Sequence, residues 1–185
     1  MSKMAKIECE GHELELPVVE GTENEKAIDI SALRKQTGLI TIDEGYVNTG
    51  STQSGITFLN GEEGILRYRG YPIEDLAKNC DFVEVSYLLI YGELPNQTEL
   101  ADFRDSIRHH TMLHEDMRLF YNGFPRDAHP MAILSSVVSA MSTFYQDSLD
   151  PHDPEQVEIS IRRLMAKLPT IAAYSHNKSA GQPFA

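Results

Sequence analysis

Asp81-Phe82-Val83-Glu84-Val85-Ser86-Tyr87-Leu88-Leu89-Ile90-Tyr91-Gly92-Glu93-Leu94-Pro95-Asn96-Gln97-Thr98-Glu99 decides the class of fold. Asp81 and Glu84 stand three apart, and so do Asn96 and Glu99. Each pair reads as a capping box. The first side chain satisfies N–H groups of the opening turn, and the glutamate reaches back to the cap's own N–H. Phe82, Val85, Leu88 and Leu89 then share one helical face, and Gly92 supplies the stop. Two capped helices in succession predict a helical body.

Toward the C-terminus the period stays helical. Leu100, Phe103 and Ile107 continue the second helix. Pro130 opens a longer one, with Leu134, Val137, Val138, Met141 and Tyr145 at helical spacing. Asp153-Pro154-Glu155 is a further start, with a cap, a proline at the first position and an acid in the first turn. Val157, Ile161, Leu164, Met165 and Leu168 line that helix. Pro169 removes one hydrogen bond and is expected to kink it, and the apolar pattern resumes at Ile171 and Ala172.

Toward the N-terminus the period falls to that of strands. Pro72 begins a short helix. Before it, Ile56–Leu59 and Ile65–Tyr68 flank Asn60-Gly61, a hairpin signal because both residues tolerate positive φ. Leu39–Ile42 reads as a short β-branched strand. Ser31–Thr37 reads as a short helix, capped by Asp29 or Ser31 and stopped by Gly38. Glu13–Leu16 alternates polar and apolar and pairs with Lys6–Cys9 across Glu10-Gly11-His12. The expected fold is mainly α, with a β-rich region over 1–68 followed by a helical body over 69–185.

Bulk properties narrow the function. The 185 residues carry a formal charge of −12, with pI near 4.9. Such a surface does not replace the counterions of nucleic acid or dock on anionic lipid. Apolar residues make up 41%, enough for a core without disulfides. Cys9 and Cys80 are far apart and outside any CxxC spacing, which suits reduced thiols. Met1–Glu10 lacks the apolar stretch of a signal peptide, and no run reaches the ~18 residues of a membrane span. The expected compartment is the cytoplasm.

Two clusters have chemical potential. His110 and His114 stand four apart, one turn on a helix, which is a spacing that binds zinc. However, no glutamate follows His110 and no third ligand is near, so no metal site is assigned. A polar helix end accounts for these imidazoles equally well. Arg162, Arg163 and Lys167 form a basic group inside an acidic chain. Arg163 and Lys167 share a face and could hold a phosphate, with a fork from one and a point charge from the other. The alternative is an exposed face paired with Glu155 or Glu158. No G-x-S-x-G, P-loop or G-x-G-x-x-G is present.

Taken in order, the motifs resemble one family. Phe58-x-Asn60-Gly61-x-Glu63-Gly64-Ile65-Leu66-x-x-Arg69-Gly70-Tyr71-Pro72-Ile73 is similar to a signature near the start of citrate synthases. Leu89-Ile90-Tyr91-Gly92-Glu93-Leu94-Pro95, Arg108–Glu115, Arg126-Asp127-Ala128-His129-Pro130-Met131, Phe144–Asp150, Arg163–Ala173 and Gly181-Gln182-Pro183-Phe184 follow at family-like spacings. The N-terminal β region resembles that of the Gram-negative bacterial, hexameric type.

The resemblance implies the first helices of the citrate synthase large domain, and an enzyme condensing acetyl-CoA with oxaloacetate and water to citrate and CoA. It implies no required cofactor or metal. An Asp base and two His electrophiles do the family's chemistry, in motifs that this chain lacks. No His is followed by Gly here, so no catalytic residue is assigned and the 185 residues alone are expected to be inactive. The resemblance also implies an allosteric NADH site at His110, Thr111, Tyr145, Arg163, Lys167 and Gln182, with His109 where inhibited members often carry Arg. The expected partners are small-molecule substrates and copies of the same protein, as a homodimer or hexamer. The rival readings are 2-methylcitrate synthase and a non-catalytic oligomerisation and NADH-binding module.

Overall fold

The computed structural model describes residues 3–184. The chain divides into two compact units, Met1–Gly55 and Ile56–Ala185. The boundary expected from the change of period, at residue 68, lies at the end of a strand in the second unit.

In the first unit, β1 (Met4–Cys9), β2 (His12–Glu20) and β3 (Lys26–Ile28) form an antiparallel sheet in that order. Cys9 faces His12, so the β1–β2 turn is the dipeptide Glu10-Gly11. Both adopt positive φ, 48° and 77°, as a turn that follows the twist of its strands requires. Leu14 and Leu16 are two apart and therefore share a face. They are buried with Leu33 from α1 (Leu33–Thr37), beneath Ile7, Cys9 and Ile30. Neither Asp29 nor Ser31 caps α1, which starts at Leu33 with Ala32 at its N-cap and no side-chain cap bond. Asp29 Oδ1 accepts the Ser31 N–H at 2.9 Å ahead of the helix, and Gly38 ends α1 with φ 77°.

Leu39–Ile42 forms no strand, contrary to its β-branched pattern. Ile40 is 72% and Ile42 90% exposed. Propensity for the pleated sheet reflects packing against strand neighbours, and among the described residues this segment meets no ladder.

The second unit opens with β4 (Thr57–Asn60), β5 (Ile65–Tyr68) and β6 (Tyr71–Pro72), again antiparallel and in order. The expected hairpin is present, by a different device. Asn60 works through its side chain, whose Oδ1 accepts the N–H groups of Glu62 and Glu63 at 3.1 Å each. Positive φ falls on Gly64 rather than on Asn60 or Gly61.

The helices follow: α2 (Ile73–Asn79), α3 (Phe82–Tyr91), α4 (Gln97–His109), α5 (Met117–Asn122), α6 (Pro130–Phe144) and α7 (Pro154–Ala180), with a 3₁₀ turn over Gln146–Ser148. Both capping boxes form as the sequence predicts. Asp153 caps α7, its carboxylate accepting the Glu155 N–H at 3.0 Å. His129 caps α6 through its ring, Nδ1 accepting the Met131 N–H at 3.2 Å. α7 runs through Pro169 without ending, although the proline withholds the N–H that would meet the Met165 carbonyl.

The core of this unit joins Met117 and Tyr121 of α5, Ile133, Val137 and Met141 of α6, and Ile171 and Tyr174 of α7. On α6 these are i, i+4 and i+8, so the fully buried line runs one residue ahead of Leu134 and Val138, which are only partly covered. Tyr174 stacks on Phe184 at 5.1 Å and meets Tyr121 edge-on at 5.6 Å. Burial of each such side chain contributes roughly 1.5–3 kcal/mol. The fold is mainly α with small β-sheets, as expected. Among the described residues no helix is long and apolar enough to cross a membrane.

Candidate functional site

Three segments meet beside the middle of α7. α4 ends at His109, with His110 as its C-cap, and the chain then passes through Thr111 and Met112. α6 ends at Phe144 and leaves Tyr145 at its exit. The 3₁₀ turn brings Asp147 and Ser148. α7 contributes Arg163 and, one turn later, Lys167.

Arg163 is clamped. Its guanidinium pairs with both oxygens of Asp147, one contact being Nη2 to Oδ2 at 2.7 Å. Nη1 also donates to Ser148 Oγ at 2.9 Å. Its carbon Cζ lies 4.8 Å from the centre of the Tyr145 ring. Lys167 is only 3% exposed. Its ammonium donates to the main-chain carbonyls of His110, at 2.7 Å, and of Met112, and it also lies 4.8 Å from the Tyr145 ring centre. Thr170 Oγ1 donates to the Thr111 carbonyl at 3.1 Å. The Tyr145 hydroxyl accepts the His114 N–H at 3.1 Å.

The charges bias one another. Arg163 holds the Asp147 carboxyl below its ordinary value. Burial lowers the His110 imidazole, and the nearby Arg163 and Lys167 charges lower it further, so the ring is neutral near pH 7. Burial also lowers Lys167, with Arg163 adding to the effect. Burial raises the Tyr145 phenol.

His110, Thr111, Tyr145, Arg163 and Lys167 are therefore brought together, while Gln182 lies elsewhere. Gln182 follows the C-terminal end of α7, where its N–H donates to the Asn177 carbonyl at 2.8 Å. There it lines a separate pocket of about 260 Å³ with Asn122, Arg126 and Lys178. At 1.5 Å per residue it stands about 25 Å or more from Arg163 along the helix.

Sequence reasoning missed Asp147 and Ser148 as members of the cluster. Local spacing gave no signal for them, because they reach Arg163 from sixteen and fifteen positions away. Arg162 behaves as an ordinary face residue, paired with Glu158 at 2.6 Å within the helix. Glu158 in turn accepts from the Tyr91 hydroxyl. The imidazoles of His110 and His114 do not stand a turn apart, since α4 stops before them. His114 Nδ1 instead accepts the Asp116 N–H at 3.2 Å.

The comparisons with known proteins agree on one family. The model described as "Citrate synthase, C-terminal domain" matches residues 45–185. The chain is 55% identical over 180 residues to Citrate synthase 1 of Mycobacterium tuberculosis, covering 97% of this chain and 42% of that protein. It is 53% identical over 174 residues to the citrate synthase of Corynebacterium glutamicum, covering 94% of this chain and 40% of that protein. Among solved structures, citrate synthase from Pyrobaculum aerophilum aligns with TM-score 0.65 and 30% identity, over 90% of this chain and 39% of that one. The chain thus spans about two fifths of the curated relatives' length. Both relatives are actinobacterial, and neither supports the Gram-negative, hexameric type.

Proposed function

Because the chain belongs to the citrate synthase family, we propose that it is the N-terminal portion of a longer enzyme that condenses acetyl-CoA with oxaloacetate and water to give citrate and CoA. The family match over 45–185 carries this reading. In this proposal the 185 residues provide a β-rich region and a helical framework, and the acid–base groups come from the rest of the protein. The test is release of CoA from acetyl-CoA and oxaloacetate. The full-length protein is expected to turn over, and the 185-residue chain to be inactive. Faster turnover with propionyl-CoA would replace this reading with 2-methylcitrate synthase, and no turnover by the full-length protein with either thioester would overturn both.

A regulatory role is the finer part of the proposal. The cluster of His110, Thr111, Tyr145, Arg163 and Lys167 would bind the phosphates of NADH in the full-length oligomer. A guanidinium fork beside a second cation and a neutral imidazole supports it. Gln182 would take part only if another copy of the protein brought it to the site. NADH is expected to inhibit the full-length enzyme at low salt, with inhibition fading as salt screens the cations. Absence of inhibition at low salt would remove NADH from the proposal and leave the condensation untouched.

A further inference from the structure

Arg163 already holds an anion that belongs to its own chain. The Asp147 carboxylate meets the guanidinium through two parallel contacts, in the fork geometry that a phosphate would also adopt. The two partners are not equally held. The Arg163 side chain is 13% exposed and fixed by Ser148 Oγ and the Tyr145 ring, whereas the Asp147 side chain is 60% exposed. Asp147 sits on a single 3₁₀ turn between two helices. The Ser148 carbonyl is tied to α7 by Ser160 Oγ at 2.9 Å, so the Asp147 carboxylate can rotate away while its neighbour stays in place. Once it leaves, the described residues offer no second carboxylate within ion-pair distance of Arg163. What remains is a seat with a guanidinium, a hydroxyl and the charge of Lys167 nearby.

We propose that Asp147 is a built-in competitor, occupying on Arg163 the position of a phosphate group, so that a phosphate-bearing ligand binds only by displacing it. The inference rests on the reading of this cluster as an anion site and adds what controls it. The ligand class is a phosphate ester or diphosphate. A phosphate monoester carries a charge near −2 on one group and a diphosphate spreads its charge over two groups, so either brings more negative charge to the paired cations than one carboxylate does. The competing pair weakens every such ligand alike, because each must break the same contacts.

The test measures binding of NADH by fluorescence and of inorganic pyrophosphate by calorimetry to the full-length protein at low salt. Asp147→Asn and Asp147→Ala are each expected to bind both probes about tenfold or more tightly than the parent, the scale of one lost charge-assisted contact. Arg163→Met is expected to bind neither. Asp147 variants that bind pyrophosphate no more tightly than the parent, or not at all, overturn the proposal. Pyrophosphate following the expected pattern while NADH binds no variant would sink the NADH reading and support the competitor. Circular dichroism confirms folding of each variant, and in the Asp147 variants Arg163 keeps its contacts with Ser148 Oγ and the Tyr145 ring.

Discussion

The Lys167 ammonium donates to the His110 carbonyl at 2.7 Å, bridging 57 positions of sequence. It donates to Met112 as well. A buried cation on α7 thereby serves as the terminal partner for α4, whose last carbonyls carry the negative end of the helix dipole. A residue that looks like half of an anion site is first of all a strut, and its loss is expected to act on stability as well as on binding.

Lys167→Met keeps the apolar stem and removes both donations. It is expected to cost about 2–3 kcal/mol, the range for hydrogen bonds to a charged group with acceptors left behind. Urea unfolding would measure it. An unchanged midpoint would mean that water replaces the ammonium at both carbonyls without penalty.

His110 titrates below the ordinary imidazole value of 6.5, through burial and then the Arg163 and Lys167 charges. In the folded state the charged ring is disfavoured, so the unfolded chain binds the proton more readily. The associated stability is present above pH 6.5 and is lost as pH falls through the folded value. His110→Gln is expected to flatten the decline in thermal midpoint below that pH. Asp147 is also depressed, but below 3.8, so its contribution fades at more acid pH and does not overlap. Equal slopes for parent and variant between neutral pH and pH ~5 would refute the assignment.

Tyr121 is fully buried, and its hydroxyl donates to the Ile171 carbonyl at 3.1 Å. Burial pushes the phenol up to about 12, so it stays protonated and able to donate. Tyr121→Phe is expected to cost about 1 kcal/mol, because Ser175 Oγ still reaches the same carbonyl. Tyr121→Ala opens a cavity among Met117, Tyr174 and Phe184, at about 3–5 kcal/mol. Calorimetric unfolding of the pair separates the hydrogen bond from the packing.

Asn96 caps α4, its Oδ1 accepting the N–H groups of Thr98 and Glu99 at 2.9 and 3.0 Å. Asn96→Ala is expected to cost about 1 kcal/mol, and Asn96→Asp to be nearly neutral. A loss from Asn96→Asp as large as that from Asn96→Ala in the same unfolding experiment would show that the cap is not what holds this end.

The elements read correctly from sequence are those whose causes lie within a few residues. Asp81 with Glu84, Asn96 with Glu99, Asp153 before Pro154, and Gly38 and Gly92 at helix ends each close a hydrogen bond inside a turn or less. The β4–β5 turn was legible for the same reason, although Asn60 acts there by accepting N–H groups and not by adopting positive φ. Leu39–Ile42 was misread because a strand needs a partner, and its own residues cannot say whether one arrives.

The helix starts at Asp81, Asn96 and Asp153, the helix stops at Gly38 and Gly92 and the β4–β5 turn were thus determined by the sequence alone, through contacts that close within a turn. The tertiary structure decided what the cations hold. Arg163 and Lys167 are four apart on a helix, a spacing that fits a phosphate site or a solvated face equally well. Packing gave Arg163 to Asp147 and Lys167 to the carbonyls of His110 and Met112, and it set Gln182 at the far end of α7. A charge shows in the sequence, but its partner is chosen by how the helices meet.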